Sequence, residues 1–308
     1  MTTEWMDDAV AVVTGAGSGI GRALALRFAR HGMSVMLADI DAEGLAETES
    51  LIAELGTPVA SRIVDVSDAA QVEALAEATV SEFGRVNIVC NNAGVSGGGL
   101  SWEVPLEDWQ WTIGVNLWGV IHGVRSFVPR ILESGTGHIV NTASMAGFVA
   151  APGMGPYNAT KHAVVGTSET LYHELSMLNP EVSVSVLCPG WVNTNILDSE
   201  RHRPSSFAPA SGGSAGVIDV ADSEPDGAAA DQGEIDQTQN VMREIVSELI
   251  RNGADPADVA ELVFQAIAER RFWVFTHDDW LASAGRRYEL AFGGENPQLS
   301  LPGVMSSE

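Results

Sequence analysis

The sequence predicts an α/β fold in which one domain is built on a doubly wound parallel sheet of about seven strands, with helices on both faces. Two observations predict this fold. Short runs of apolar and β-branched residues alternate with segments of helical periodicity along most of the 308-residue chain. The first of these runs, Ala9–Val13, leads into a glycine-rich turn and then into a helical segment that stops at Gly32. In such sheets, ligands bind at the carboxyl ends of the strands.

The later elements follow the same alternation. After the first strand, the predicted strands are 34–39, 58–64, 86–91, 137–142, 182–188 and 272–276. The predicted helices beyond Gly32 are 41–55, 68–83, 105–133, 156–178, 237–252, 255–270 and 280–292. Asp255 and Pro256 are residues typical of a helix start, which supports the boundary there.

We treat residues 1–308 as a single domain, with an insertion at 198–254 and a tail at 293–308. Within the insertion, 205–236 is an acidic low-complexity loop, and from Asp219 to its end it contains seven acidic residues and no basic residue. This composition is typical of a disordered segment. The position directly after the sixth strand is also compatible with a mobile lid over the substrate, so both interpretations stay open.

The formal charge of −25 weighs against binding to nucleic acid or to an anionic membrane, because the overall field repels phosphate. No apolar run approaches the roughly 20 residues of a membrane-spanning helix. The acidic N-terminus lacks the basic start of a signal peptide, so we expect a cytoplasmic protein without a membrane partner.

Cys90 and Cys188 each end an apolar run, which predicts buried strand thiols rather than a disulfide. The seven histidines form no cluster with metal-ligand spacing, so no metal site is expected.

The glycine-rich turn Thr14–Gly21 is predicted to bind the pyrophosphate of a dinucleotide. Its glycines allow a tight turn and let the pyrophosphate approach backbone N–H groups at the N-terminus of the next helix. Asp39 ends the second strand, where a carboxylate can accept hydrogen bonds from both ribose hydroxyls of NAD and would repel the 2′-phosphate of NADP. Ile40 and Asp41 follow, so no basic residue is present there to bind that phosphate. The alternative is that Asp39 only caps the helix that follows.

Tyr157 and Lys161 stand four residues apart on a predicted helix and therefore share one face of it. Lys161 is the only lysine in the chain. Oxidation of a secondary alcohol requires a base for the hydroxyl proton, and a phenol with a pKa of about 10 becomes such a base only when its phenolate is stabilised. An ammonium group one helical turn away provides that stabilisation. Ser144 would hydrogen-bond the substrate oxygen; the alternative is that it merely ends a strand.

In this order and spacing, these residues resemble the short-chain dehydrogenase/reductase family. The shared motifs are Thr14-Gly15-(xxx)-Gly19-x-Gly21, Asp65, Asn91-Asn92-Ala93-Gly94, Asn116, Ser144, Tyr157-xxx-Lys161 and Pro189-Gly190. They cover residues 9–196 closely and 255–276 more loosely. The resemblance implies a Rossmann-type fold, an NAD(P)-linked oxidoreductase that acts on CH–OH groups, and a homodimer or homotetramer packed through long helices.

The roles of the family's residues carry over to the matching positions. The resemblance implies that Tyr157 is the acid/base, that Lys161 activates it and binds the nicotinamide ribose, and that Asn116 holds a water in the proton exit. The alternative for Asn116 is a buried helix amide with no part in the reaction. The implied NAD-binding residues are Gly15, Ser18, Gly19, Ile20, Gly21, Asp39, Asp65, Val66, Asn92, Ala93, Gly94, Tyr157, Lys161, Pro189, Gly190, Val192 and Thr194. The candidate substrate residues are the stretch 96–99, Ser144, Met145, Phe148, Met154, Trp191, Ile196 and Leu197.

The predicted function is NAD-dependent interconversion of a bulky, largely apolar secondary alcohol and its ketone. The stretch 115–132 and the long insertion faintly resemble dehydrogenases that act on aryl carbinols. Two alternatives stay open: an NADPH-dependent ketone reductase, against which Asp39 argues, and a non-catalytic dinucleotide-sensing protein of the same fold, which would not need the Asn-Ser-Tyr-Lys set. Non-redox chemistry on this scaffold commonly dispenses with the dinucleotide, so the glycine-rich turn and Lys161 argue against it.

Overall fold

The computed structural model describes residues 4–208, 244–299 and 302, and it contains the predicted parallel sheet. The strands are β1 (Val10–Thr14), β2 (Ser34–Asp39), β3 (Val59–Ile63), β4 (Ile88–Asn91), β5 (Gly137–Thr142), β6 (Val182–Cys188) and β7 (Trp273–Phe275). Their order across the sheet is β3-β2-β1-β4-β5-β6-β7, and every neighbouring pair is parallel. The predicted α/β fold with a seven-stranded, doubly wound sheet is confirmed.

The helices also follow the predicted alternation. They are α1 (Gly19–His31), α2 (Ala42–Ala53), α3 (Ala69–Phe83), α4 (Leu106–Ile113), α5 (Gly119–Glu133), α6 (Gly155–Leu178), α7 (helical at 244–251), α8 (Pro256–Glu269) and α9 (Asp279–Gly293). Short 3-10 turns lie at Glu4–Met6, Met145–Gly147, Ile196–His202 and Ser205–Phe207. Most of the predicted acidic loop, at 209–236, and the start of the predicted helix 237–252 lie outside the described residues.

Helices on both faces explain why the strands are apolar throughout rather than alternating. Along β1, Ala11 and Val13 face one side of the sheet and Val12 faces the other, and all three are inaccessible to solvent. Helices α1 and α8 pack on the first face, while α3, α5 and α6 pack on the second. A parallel sheet covered in this way requires continuous apolar strands. Cys90 and Cys188 are free thiols buried in this core, as predicted.

The helical pattern predicted over 105–133 is confirmed at 106–133, with one departure from regular α-helical geometry. A π-helical turn at Gly114–Trp118 separates α4 from α5. Asn116 lies in this turn, where its Oδ1 accepts a hydrogen bond from the N–H of Val95 at 2.8 Å and its Nδ2 donates to the carbonyl of Val95 at 2.9 Å. These two bonds fix the turn to the segment that follows β4. Periodicity along one helix does not report such a bond to a distant loop, so the sequence pattern misses the turn.

His138 in β5 is fully buried, and its burial makes the free energy of unfolding depend on pH. Its Nε2 lies 2.7 Å from Ser185 Oγ, and that hydroxyl donates to the carbonyl of Arg271 at 2.6 Å, so Nε2–H is the donor to Ser185. Burial lowers the pKa of His138 to about 3. Between this value and the ordinary pKa of about 6.5, the unfolded chain binds a proton that the folded chain does not, so stability falls as the pH falls.

Replacing His138 with Gln, which keeps an amide donor for Ser185, is therefore expected to flatten the acid dependence of stability. Thermal unfolding at pH 7 and pH 5 measures the effect, and the Tm of the wild type should drop more than that of the variant. His173→Gln, at an exposed position of α6, is the matched control and should keep the wild-type dependence. Equal drops for His138→Gln and the wild type would contradict the prediction.

Candidate active site

One cleft runs along the carboxyl edge of the sheet, at the ends of β1, β2, β4, β5 and β6. The strand order reverses between β1 and β4, and ligands of such sheets bind at this crevice. The predicted site residues that line it are Gly15, Ser18, Gly19, Ile20, Gly21, Asp39, Asp65, Val66, Asn92, Ala93, Gly94, Ser144, Met145, Met154, Tyr157, Lys161, Pro189, Gly190, Trp191, Val192, Thr194, Ile196 and Leu197. Ser96 of the candidate stretch 96–99 also lines it, whereas residues 97–99, Asn116 and Phe148 lie outside it.

The glycine-rich turn leaves the backbone at the start of α1 open to the cleft. Gly15 and Gly19 adopt φ angles of +67° and +51°, in the left-handed region that favours glycine. A Cβ on Gly21 would clash with the carbonyl of Gly15, so this approach also requires glycine. Ser18 precedes α1 but makes no capping hydrogen bond with its side chain, which leaves the first N–H groups of the helix available to an anion. The turn therefore fits the pyrophosphate of a dinucleotide.

The Asp39 carboxylate is held at the end of β2 by two main-chain groups. Its Oδ2 accepts a hydrogen bond from Gly17 N–H at 2.7 Å, and its Oδ1 accepts one from Asp41 N–H at 2.9 Å. The alternative interpretation of Asp39 as a helix cap is wrong, because Asp41 caps α2 by accepting from the N–H of Gly44. Asp39 thus presents a fixed, partly exposed carboxylate to the cleft.

Two further residues predicted to contact the cofactor also hold the turns that shape the cleft. Asp65 Oδ1 accepts hydrogen bonds from the N–H and the hydroxyl of Ser67 at 2.9 and 2.7 Å. Asn92 Nδ2 donates to the carbonyl of Thr14 at 3.0 Å, and its Oδ1 accepts from the hydroxyl of Thr142 at 3.3 Å. Asn92 therefore ties together the ends of β1, β4 and β5.

Tyr157 and Lys161 lie in the first two turns of α6, and both are buried, with exposed fractions of 9% and 3%. Lys161 Nζ lies 5.4 Å from the centre of the Tyr157 ring and donates a hydrogen bond to the carbonyl of Thr142 at 2.9 Å. In the described part of the chain, no carboxylate lies within 4.0 Å of this ammonium group. Burial accordingly lowers the pKa of Lys161 to about 8.

Ser144 begins the short turn after β5, beside the Tyr157 phenol. Its hydroxyl donates to the carbonyl of Pro189 at 3.3 Å and accepts from the N–H of Ala146 at 3.1 Å. Burial raises the pKa of Tyr157, and the neighbouring Ser144 side chain acts in the opposite direction. In the protein alone, burial outweighs the groups that stabilise a phenolate. The expected lowering of the Tyr157 pKa by Lys161 stays a prediction.

Asn116 is fully buried behind the cleft rather than in its wall. Both polar atoms of its side chain bond the Val95 backbone, and its Nδ2 lies 3.5 Å from the Thr160 hydroxyl. These bonds use the side chain to join the loop after β4 to α6. A part for Asn116 in proton exit would therefore have to run through its main-chain atoms, and the role stays a prediction.

Apolar side chains form the side of the cleft that lies beyond Tyr157. The predicted residues here are Met145, Met154, Trp191, Ile196 and Leu197. Phe148 is misassigned, because it packs edge-on against the rings of Trp273 and Phe275. Sequence reasoning missed several lining residues, among them Trp111, Val149, Pro204, Val246, Ile250 and Trp280. No motif marks these residues; their apolar character is equally typical of core positions.

Within residues 4–208, 244–299 and 302, no group of three or more His, Cys, Asp or Glu side chains is placed to hold a metal ion. The helices in the same part of the chain are too short or too polar to cross a membrane.

Comparison with known proteins gives a consistent family. A family model described as short chain dehydrogenase matches residues 9–205. The "CLA biosynthesis dehydrogenase/reductase" of Lactiplantibacillus plantarum is 31% identical over 274 residues, which cover 89% of either chain. The "1-deoxy-11-beta-hydroxypentalenate dehydrogenase" of Streptomyces avermitilis is 43% identical over 192 residues, which cover 61% of this chain and 70% of the relative. A short-chain dehydrogenase/reductase from Burkholderia phymatum, solved in complex with NAD, superposes with a TM-score of 0.84 at 43% identity, over 96% of this chain and 98% of that one.

The single lysine makes the electrostatics of the site directly measurable. Because Lys161 is the only lysine, a ¹³Cε-lysine label gives one NMR signal, and we expect it to titrate with a midpoint near 8 instead of the ordinary value of about 10.4. The cause is burial without a neighbouring carboxylate, which penalises the charged form. The same label in urea-unfolded protein is the control and should titrate at the ordinary value. A folded-state midpoint above 10 would contradict the prediction.

Proposed function

This chain belongs to the short-chain dehydrogenase/reductase family, and on that premise we propose that it is an NAD-dependent dehydrogenase that interconverts a bulky, largely apolar secondary alcohol and its ketone. Membership makes the chain an oxidoreductase that acts on CH–OH groups with NAD or NADP as the acceptor. The observation that carries the finer proposal is the meeting of Tyr157, Ser144 and Lys161 in the same cleft as the glycine-rich turn.

Two observations support NAD as the cofactor. The carboxylate of Asp39, fixed by Gly17 and Asp41, is suited to accept hydrogen bonds from the hydroxyls of an unphosphorylated ribose, and its charge would repel a 2′-phosphate. The relative from Burkholderia phymatum was solved with NAD. The open N-terminus of α1 suits the pyrophosphate of either dinucleotide and does not discriminate between them.

NAD, when bound, supplies the hydride acceptor, and the residues of the chain orient the alcohol and handle its proton. The hydrogen bond from the Ser144 hydroxyl to the Pro189 carbonyl is long, at 3.3 Å. The hydroxyl can therefore donate to the substrate oxygen instead. The phenol oxygen of Tyr157 takes the hydroxyl proton as the general base and returns it in the reverse reaction. Since Tyr157 is buried, water competes little for that proton.

Lys161 supplies the positive charge that a Tyr157 phenolate needs. Burial raises the pKa of the phenol, so a nearby cation is required to bring that pKa toward neutrality. With its own pKa at about 8, Lys161 is mostly protonated at neutral pH, and its Nζ is 5.4 Å from the ring centre. Its compact ammonium group also suits contact with the hydroxyls of the nicotinamide ribose.

The apolar wall supports a bulky, largely apolar substrate. Trp111, Met145, Met154 and Trp191 contribute large apolar or aromatic surfaces near the reacting group, and such pockets bind ligands mainly by burying apolar area. The relative from Streptomyces avermitilis is named for a hydroxylated substrate, 1-deoxy-11-beta-hydroxypentalenate. Assembly as a homodimer or homotetramer and a cytoplasmic location, both expected from the sequence, remain part of the proposal.

Tyr157→Phe tests the proposed acid/base directly. Removing the phenol oxygen should lower kcat/KM for a panel of apolar secondary alcohols with NAD by about 10²–10⁴-fold, because no other group in this position takes the hydroxyl proton. Absorbance of the reduced nicotinamide measures the rate. Tyr172→Phe, on the same helix but packed against Phe272, is the matched control and should stay near the wild-type rate. If Tyr157→Phe turns over substrate at the wild-type rate, the proposed mechanism is wrong. If the wild type binds NAD but shows no turnover, the dinucleotide-sensing alternative is favoured.

Asp39→Asn tests the cofactor. The neutral amide keeps an oxygen for the Gly17 N–H but loses charge-assisted bonds to the ribose, so kcat/KM with NAD should fall by about tenfold while kcat/KM with NADP rises. Steady-state rates with both dinucleotides give the ratio. Asp68→Asn, an exposed cap of α3, is the control and should leave the ratio unchanged. A wild-type preference for NADP would replace the proposal with the NADPH-dependent reductase.

A further inference from the structure

A segment that follows β6, called the strap here and defined as residues 196–207, lines part of the cleft. Its members in the cleft wall are Ile196, Leu197, Ser199, Arg201, His202 and Pro204. Near one end, the Ser199 hydroxyl accepts a hydrogen bond from the N–H of Ser96 at 3.2 Å. Further along, His202 Nε2 lies 3.4 Å from Asp41 Oδ2, at the Asp39 end of the cleft. The strap therefore borders both the substrate wall and the cofactor end.

One residue of the strap, Arg203, points away from the cleft and into the protein. Its Nη2 lies 2.5 Å from Asp108 Oδ1 in α4, and the two side chains are only 6% and 4% exposed. Its Nη1 lies 3.3 Å from Glu200 Oε1, and its Nε donates to the carbonyl of Phe207 at 2.8 Å. The guanidinium thus binds α4 and both short turns of the strap at once.

The same arginine stands behind a residue of the cleft wall. The Arg203 guanidinium lies 4.8 Å from the centre of the ring of Trp111, a lining residue of the cleft that is 1% exposed. Phe207, at the end of the strap, packs at Gly114, where α4 passes into the π-helical turn. The strap, α4 and Trp111 are therefore held as one unit around the ion pair.

A buried ion pair is a poor way to gain stability, because both ions lose their hydration and an apolar pair of similar volume often serves as well. The ion pair instead fixes how the strap is oriented relative to α4. A guanidinium group has its donors in a rigid plane, and here they are aimed at acceptors on two separate elements. Such a group fixes the orientation and distance of the strap relative to α4, which apolar contacts alone do not.

We propose that Arg203 is a positioning residue for the alcohol substrate: its buried ion pair with Asp108 fixes the strap against α4 and so sets the apolar wall of the cleft. The inference rests on the proposed function for the identity of the substrate. Arg203 itself does not line the cleft, so it acts through the strap and Trp111. Tyr157, Ser144 and the glycine-rich turn lie on other elements, so the chemical step at saturating substrate does not depend on the pair.

The test compares Arg203→Lys, Arg203→Met and the double variant Arg203→Met/Asp108→Leu in the full-length chain. The double variant removes both members of the buried pair and leaves only the more exposed Glu200 without its partner, which protects the experiment against a single variant that fails to fold. Arg130→Met is the matched control, since Arg130 joins α5 to Glu73 of α3 by a partly buried ion pair away from the cleft. KM and kcat for an apolar secondary alcohol with NAD are measured, together with hydrogen–deuterium exchange of 196–207 in the free protein.

We expect KM for the alcohol to rise about tenfold in the double variant, because contacts that bind the ground state and the transition state equally are lost. The value of kcat should change less than about threefold, because the reacting groups are not moved. Exchange in the strap should become faster, Arg203→Lys should lie between the wild type and the double variant, and Arg130→Met should match the wild type in both measurements. Unchanged exchange in the strap, or a loss of kcat without a rise in KM, overturns the inference. A wild type without turnover would instead refute the proposed function, and the exchange data would still decide the anchoring by Arg203.

Discussion

The contact between the turn after β1 and the turn after β4 is the constraint on which the rest of the site depends. The Thr14 hydroxyl accepts hydrogen bonds from the N–H groups of Asn92 and Ala93, at 2.9 and 3.1 Å, and donates to the carbonyl of Cys90 at 3.3 Å. A Cβ on Gly15 would meet the backbone of Ala93, so the two turns can lie this close only with glycine there. The crevice between β1 and β4 has its shape because these turns are fixed to each other.

From that contact, a continuous set of hydrogen bonds reaches the predicted acid/base. Two residues beyond Ala93, the backbone of Val95 is held by the side chain of Asn116, which in turn lies 3.5 Å from the Thr160 hydroxyl in α6. Thr160 donates to the carbonyl of Tyr157 at 2.8 Å. The π-helical turn matters in this sequence of contacts because it places Asn116 against the loop. The buried amide therefore sets the distance between the cofactor turn and Tyr157, whatever else it does.

The sequence predicts the features that depend on residues close together in the chain. It does not predict the features that depend on contacts between residues far apart in the chain. Strands, helices and the residues at strand ends follow from periodicity and short motifs, and the parallel topology then brings those ends to one edge of the sheet. The position of Phe148 near Ser144 in sequence predicts a place in the cleft, but its ring packs against β7 and lies outside the cleft. Trp111 was missed because a buried aromatic in a helix is typical of a core residue. The pairing of Arg203 with Asp108 joins residues that are 95 positions apart, and no pattern along the chain indicates it.

Two buried cations lie near the cleft, Lys161 in its wall and Arg203 behind it, and they differ in how their charge is used. Arg203 is matched by Asp108 and lies near Glu200, so its field is largely cancelled within a few ångströms and the group serves to fix geometry. Lys161 has no carboxylate within 4.0 Å among the described residues, so its charge stays uncompensated by its immediate surroundings. Burying an uncompensated ammonium group costs stability, which the lowered pKa of Lys161 reports. The absence of a neighbouring carboxylate is also what allows the charge to act on Tyr157. A carboxylate beside Lys161 would raise the pKa of Lys161, and it would also weaken the electrostatic field of the ammonium group at Tyr157. In a chain of formal charge −25 with a single lysine, keeping acids away from this one position is therefore a requirement of the proposed chemistry.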